Sequence, residues 1–421
     1  MSKISKVVIV GAGFAGMRAA RALGNDSLCD VTVIDRRNYH LFQPLLYQVA
    51  MAGLSPAEIA TPIRSELSRY KNIRVVMANV TNINLDQKFV TTEYGDTEFD
   101  YLILACGANH SYFGKNEWEP FAPGLKTLEQ ATEIRRRVLL AFELAEVEKD
   151  PVKKRQHLSF VVIGGGPTGV ELAGSLGEIS RFTLAKDFRN IDPRQTRIIL
   201  VEANKRILAQ FPEKSAQRAA RDLESLGVTI WTESRVSSID KEFVQIGQEK
   251  VMSSTILWAA GVKPSSLNDG MDLKKDHLGR IIIGPDLSLE KHDSVFVLGD
   301  QAAFKEDSGE WLPGLAPVAI QQGSWAAKNI KASILGKPRE PFKYFDKGIM
   351  ATIGRKRAVV NVGKAGFSGT LAWFMWLFVH IYYLIGFHNK IFVMMQWLWS
   401  YFRFRKGARL ISKASWRSFP N

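Results

Sequence analysis

Residues Val7–Gly16, "VVIVGAGFAG", place three glycines between an apolar run and the helix-forming "MRAARAL" that follows. Strand, glycine turn and helix in immediate succession are what a dinucleotide pyrophosphate requires. Gly11 permits the tight turn, Gly13 lets phosphate approach the backbone, and Gly16 lets helix and strand pack closely. The amides and dipole at the helix N-terminus then hold the negative charge. The next apolar run, "VTVID", ends in Asp35, well placed to accept hydrogen bonds from the two ribose hydroxyls of an adenosine.

The pattern returns at residues 158–178, "LSFVVIGGGPTGVELAGSLGE", with Gly164, Gly166 and Gly169 after a strand expected over Phe160–Ile163. A later strand, "RIILVEA", ends in Glu202, an acid that favours NADH because it would repel a 2′-phosphate. The interval from Gly169 to Glu202 exceeds the usual one of about 20 residues, so a longer helix and loop must fill it. Two nucleotide folds in one chain imply electron transfer between two bound nucleotides, one FAD and the other a nicotinamide. A third apolar strand, "SVFVLGDQAA" at Ser294–Ala303, carries Gly299 and Asp300; its turn also suits a helix cap. "YLILACGA" and "ILWAAGV" read as the strands that close the two nucleotide domains.

Composition agrees with an α/β enzyme of two or three domains. The chain has 421 residues, 46% hydrophobic and 23% charged, which excludes a disordered chain and a multi-span membrane protein. Its two cysteines, Cys29 and Cys106, have neither CxxC nor zinc spacing, so no metal site is expected and a reducing compartment fits best. "MSKISKVVIVGAG" runs straight into a strand, and no signal peptide is expected. The net charge of +14 is concentrated at one end: after Asp346 there are twelve Lys or Arg and no acid. That distribution, around Trp-rich apolar runs, suits an anionic lipid surface better than nucleic acid, for which no recognised motif accompanies the charge.

Taken together, "VVIVGAGFAG", "HLFQPLLYQVA" (His40–Ala50), "VVIGGGPTGVELAGSLGE", "VFVLGDQA", "APVAIQQG" (Ala316–Gly323), "DKGIMATIGR" (Asp346–Arg355) and "LIGFHNK" (Leu384–Lys390) resemble, over nearly the whole chain, the bacterial type II NADH dehydrogenases. These are single-subunit NADH:quinone oxidoreductases, within the two-dinucleotide-binding flavoproteins, that pump no protons. The resemblance implies two Rossmann-like domains plus a C-terminal amphipathic membrane-anchoring region. It implies an FAD-binding domain at 1–115 and 271–335, an NADH-binding domain at 116–270 and the anchor at 336–421. It puts Gly11, Gly13, Gly16, Asp35, Gly299 and Asp300 on FAD, Gly164, Gly166, Gly169 and Glu202 on NADH, and Glu171 beside nicotinamide and flavin. Glu178, seven residues on along the same helical face, reads as a solvated or structural acid. The family's quinone motif often carries two glutamines; here Pro317 replaces the first, which removes a side-chain donor, and Gln321 becomes the better polar contact. Pro317 itself fits a helix start. Lys390 reads either as a cation stabilising reduced flavin or as a snorkelling interfacial lysine.

The run Leu371–Phe387 has no formal charge. As a helix it would measure about 26 Å, short of the roughly 30 Å of hydrocarbon. Trp373, Trp376, His380 and Tyr383 recur at helical spacing as an interfacial stripe, and after a break at "HNK" a second run sets Asn389, Gln396, Ser400 and Arg403 on one side. Both read as a monotopic foot; a single crossing and a homodimer interface are the other readings. The implied location is the inner membrane, peripheral, on the cytoplasmic side, where a lipid-tailed ubiquinone or menaquinone is reached. A sulfide:quinone oxidoreductase would need a paired redox cysteine set, which Cys29 and Cys106 match poorly. A non-catalytic redox sensor would need no Trp-rich foot.

Overall fold

Strand β1 (Ser5–Val10) is buried at its last four residues, and the chain leaves it through Gly11, whose φ of +96° lies in the left-handed region. Helix α1 (Phe14–Leu23) follows, and β2 (Cys29–Asp35) returns beside β1 in parallel register, Val7 opposite Val31. The computed structural model describes residues 4–403 and 407–411 of the chain. They divide into two compact units: Met1–Leu41, Ala60–Asn109 and Val262–Phe345 in the first, Phe42–Ile59, His110–Gly261 and Asp346–Asn421 in the second.

The first unit is built on a five-stranded parallel sheet in the order Val295–Val297, Tyr101–Leu104, β1, β2, Ile73–Met77. The strand before Gly299 therefore joins the same sheet as the strand before Gly11, although almost three hundred positions separate them in sequence. Its central strands are near-continuous Val, Ile and Leu, as a sheet covered on both faces requires.

The second unit repeats the plan. Strand β3 (Ser159–Ile163), helix α2 (Pro167–Glu178) and strand β4 (Arg197–Val201) form a parallel sheet ordered Val228–Trp231, β4, β3, Thr255–Trp258. The long interval before Glu202 is filled by a π-turn at Ile179–Thr183 and a short 3-10 turn at Pro193–Gln195. An antiparallel hairpin opens with β5 (Ile349–Gly354) and lies across α2. Gly174 allows this approach: a Cβ there would meet the Ile353 carbonyl oxygen at 1.8 Å.

Two helices, α3 (Gly369–Tyr383) and α4 (Phe387–Arg403), complete the described chain. Their faces differ from the sequence expectation. Trp376 and His380 are buried, with rings stacked at 4.1 Å, and Trp376 meets Trp397 at 5.5 Å and Tyr47 at 6.4 Å. The face left in solvent is Leu371, Phe374, Phe378 and Tyr382, each more than half exposed. An aromatic stripe buries most apolar area by packing on other aromatics, so the Trp side turns inward. On α4 the expected polar side is also turned in: Gln396 donates to the Gly53 carbonyl, while Phe392, Met394, Met395 and Leu398 are exposed. The break falls at Leu384–Gly386, ahead of "HNK", because Gly386 at φ +87° supplies the turn. The side chains of Ser400 and Arg403 and the basic residues Arg405, Lys406, Lys413 and Arg417 lie outside the described residues. Among the described residues no helix is long and apolar enough to cross a membrane.

Replacing Gly174 by Ala forces α2 away from β5 and is expected to cost about 1–3 kcal/mol. A thermal melt checks this; a variant melting with the parent would contradict the close approach.

Candidate nucleotide sites and the buried glutamate

The two glycine loops are held by matching sets of hydrogen bonds. In the first, the Gly11 amide donates to the Ile34 carbonyl at 2.8 Å and the Ala105 amide to the Val10 carbonyl at 2.8 Å. In the second, the Gly164 amide donates to the Val201 carbonyl at 2.8 Å and the Ala259 amide to the Ile163 carbonyl at 2.7 Å. The carboxylates obey the same rule. Asp35 accepts from the amides of Ala12 at 2.7 Å and Arg37 at 2.8 Å; Glu202 accepts from the amides of Gly165 at 2.6 Å and Asn204 at 2.8 Å. Each acid thus ties the second residue of its loop to the residue two places beyond itself. The longer interval before Glu202 leaves this geometry unchanged, because the extra residues leave and rejoin the fold between α2 and β4.

The glycines divide their tasks as the phosphate reading requires. A Cβ on Gly16 would lie 1.8 Å from the Gly11 carbonyl oxygen, and one on Gly169 would lie 1.7 Å from that of Gly164. Gly13 and Gly166 instead face room: a Cβ would find its nearest atom 4.0 Å away at the first and nothing within 4 Å at the second. These are cradles that a side chain would fill, at the N-termini of α1 and α2. The residues therefore fit two dinucleotides.

Sequence reasoning missed the support around the first loop. His40 is buried and its Nδ1–H donates to the Ala12 carbonyl at 2.9 Å, so Ala12 is held through both its amide and its carbonyl. Burial lowers the His40 pKa to about 4, and the ring stays neutral. Gln322 is also buried, and its Oε1 accepts from the Gly299 amide at 2.7 Å. It thereby fixes the turn that presents Asp300. Both signals were a polar residue inside an apolar stretch, which alone does not say what it bonds.

Glu171 and Glu178 both reach the β5 hairpin. The Thr352 amide bonds to Glu171, and the Arg355 amide donates to Glu178 at 2.5 Å. Glu178 is thus a structural acid. Burial pushes the Glu171 carboxyl up to about 8, further than the Thr352 amide can pull it down. The polar ends of Gln321 and Lys390 are already engaged. Gln321 donates to the Phe345 carbonyl and accepts from its amide, both at 3.0 Å; Lys390 Nζ donates to the Tyr382 carbonyl at 2.8 Å. Pro317 stands in the first turn of the helix Ala316–Ile334, as expected. Gly11, Gly13, Gly16, Asp35, Gly299, Asp300 and Gln321 belong to the first unit, and Gly164, Gly166, Gly169, Glu171, Glu202 and Lys390 to the second.

Residues 5–323 match the pyridine nucleotide-disulphide oxidoreductase family. The type II NADH:quinone oxidoreductase Ndh of Mycobacterium tuberculosis is 41% identical over 97% of this chain and 90% of its own length. The chain belongs to the type II NADH:quinone oxidoreductases. NDH2 from Plasmodium falciparum, solved in complex with NADH, has the same fold: TM-score 0.89 at 18% identity, covering 98% of this chain and 100% of that one. The sulfide:quinone oxidoreductase of Aquifex aeolicus is less similar in fold, with TM-score 0.74 at 18% identity over 97% of this chain and 93% of that one. A sulfide-oxidising reading is not favoured: the two cysteines are free thiols.

The raised Glu171 value makes stability depend on pH in a defined direction. The folded state keeps a proton that the unfolded chain releases, so this contribution is full below about 4.5 and fades as pH rises toward about 8. Melting temperatures of Glu171→Gln are expected to fall less than those of the parent across that window. Parallel curves would contradict a buried, protonated Glu171.

Proposed function

We propose that this chain oxidises NADH and reduces a membrane quinone, holding FAD in the first unit and NADH in the second, without moving protons across the bilayer. The observation that carries the reading is the duplicated loop: two separately built dinucleotide cradles in one chain, each with its own ribose-facing acid. FAD, when bound, supplies the two-electron chemistry, accepting hydride from NADH and returning the electrons to quinone. The reaction balances with one proton from the medium: NADH, quinone and a proton give NAD⁺ and quinol.

What the chain supplies is placement and electrostatics. Asp35 and Glu202, beyond pinning their loops, offer carboxylate oxygens to ribose hydroxyls, and Glu202 disfavours a 2′-phosphate. Glu171 is placed beside nicotinamide and flavin; its carboxyl holds a proton near neutral pH, where quinone reduction consumes one. Gln321 keeps one N–H and one lone pair beyond its bonds to Phe345, enough for a polar contact to quinone. Lys390, capping the end of α3, sets its charge beside the Tyr382 ring at 5.8 Å.

The exposed stripes on α3 and α4 support a peripheral, monotopic attachment, with the C-terminal cations drawn to anionic lipid. A quinone tail cannot leave the bilayer cheaply, at about 0.8 kcal/mol per CH₂, so the enzyme comes to its substrate.

Anaerobic stopped-flow absorbance tests the reading. NADH should bleach the bound flavin rapidly, NADPH and sulfide should not, and a short-chain quinone should restore the colour. Bleaching without recovery on quinone would overturn it. Phe374→Glu with Phe378→Glu should release the protein from anionic vesicles in a flotation assay; retention would contradict the proposed attachment face.

A further inference from the structure

Two adjacent glutamines stand in "APVAIQQG", and the helix Ala316–Ile334 turns them to different sides. Gln321 reaches Phe345, whereas Gln322 turns inward, where its Oε1 accepts from the Gly299 amide at 2.7 Å. Three pieces of the first cradle meet at this point. Gly299 opens the turn that carries Asp300, and a Cβ on it would lie 3.4 Å from the Ala319 Cβ and 3.9 Å from the Ala15 Cβ. Ala319 precedes Gln322 by one turn on the same side of its helix, and Ala15 belongs to the first turn of α1. The next residue, Gly323, packs so closely on α1 that a Cβ would meet the Ala15 carbonyl oxygen at 2.3 Å. Gln322 is thereby locked between the start of α1 and the Asp300 turn, with 1% of its surface accessible.

Only half of this side chain is used. The Gly299 bond fixes which end is the oxygen, and among the described residues nothing accepts from Gln322 Nε2. A carboxamide nitrogen brings two N–H donors and no lone pair, so whatever satisfies it must be an acceptor. Arg21 Nε and His40 Nε2 are also unpaired, but they are sealed inside packed protein; Gln322 Nε2 is not sealed and borders open space. Holding a carboxamide this deep with its N–H groups unmet is costly, and the adjoining N-terminus of α1 selects an anion to meet them. We propose that Gln322 is a ligand of FAD, its Nε2–H donating to a pyrophosphate oxygen while its Oε1 holds the Gly299 amide. The proposal rests on the reading that FAD occupies the first unit. One carboxamide then ties the phosphates to the turn that carries Asp300. Glutamate at this position keeps an acceptor for Gly299 but sets a negative oxygen where the donor was; methionine removes both.

The full chain, stripped of flavin and titrated with FAD, tests this, with the melting temperature of the stripped protein as the folding control. Gln322→Glu should bind FAD about a hundredfold more weakly than the parent near about pH 8, and more weakly than Gln322→Met. Its affinity should recover as pH falls toward about 5.5, where a protonated carboxyl can donate again, while the parent and Gln322→Met show no such recovery. A side chain that served only the Gly299 turn would reverse the order: Gln322→Glu would bind FAD like the parent at every pH and Gln322→Met less well, and that order would overturn the proposal. Saturated with FAD, Gln322→Met should also move one of the two pyrophosphate ³¹P resonances from its parental position. Unmoved resonances would overturn the proposal even if the glutamate variant fails to fold. A parent that takes up no FAD would overturn the functional reading itself.

Discussion

A carboxylate tied to the second residue of a glycine loop is the constraint on which both units depend. Asp35 ends β2 and Glu202 directly follows β4, each beside the point where the neighbouring strand gives way to its glycine loop, and they hold the loop amides at 2.7 and 2.6 Å respectively. With that bond in place the following amides converge on one point in front of the helix, where a pyrophosphate gains most from the dipole. The same acid is the one proposed to face the ribose. One side chain sets the shape of the cradle and, in the proposed function, the chemistry of the nucleotide accepted there.

The glycines and Asp35 were legible because their spacing follows directly from backbone geometry, whereas the return of Val295–Val297 to the first sheet was legible only as something the family resemblance implies. Glu202 was legible only in part: its interval was long, and the compensating π-turn at Ile179–Thr183 leaves no mark that a period of two or 3.6 would reveal. The orientation of α3 was not legible. The helix is apolar on every side, so periodicity identifies its faces without saying which is covered. The covering partners, Phe42, Tyr47 and Trp397, come from distant segments. His40, Gln322 and Thr352 escaped for a related reason: the His40 and Gln322 side chains bond backbone elsewhere in the chain, the Thr352 amide meets the distant Glu171 carboxyl, and no local pattern announces such bonds.

Burial is the common origin of the chemistry assigned to the second unit. It keeps Glu171 protonated near neutrality, holds His380 neutral by lowering its pKa to about 4, and leaves the Trp376 indole N–H with no hydrogen-bond partner among the described residues. The helices that provide this burial turn their remaining apolar surface outward. In α3 the inward face carries the buried Trp376 and the outward face carries the phenylalanines proposed to enter lipid.

The division of labour between the two loops is the central claim. Its most direct test measures, on the same samples, the flavin retained through gel filtration and the affinity for NADH in Asp35→Asn and Glu202→Gln. The account predicts separable losses: Asp35→Asn sheds flavin, whereas Glu202→Gln keeps its flavin, binds NADH more weakly and discriminates less against NADPH. Flavin retained in full by Asp35→Asn, or shed by Glu202→Gln, would contradict it.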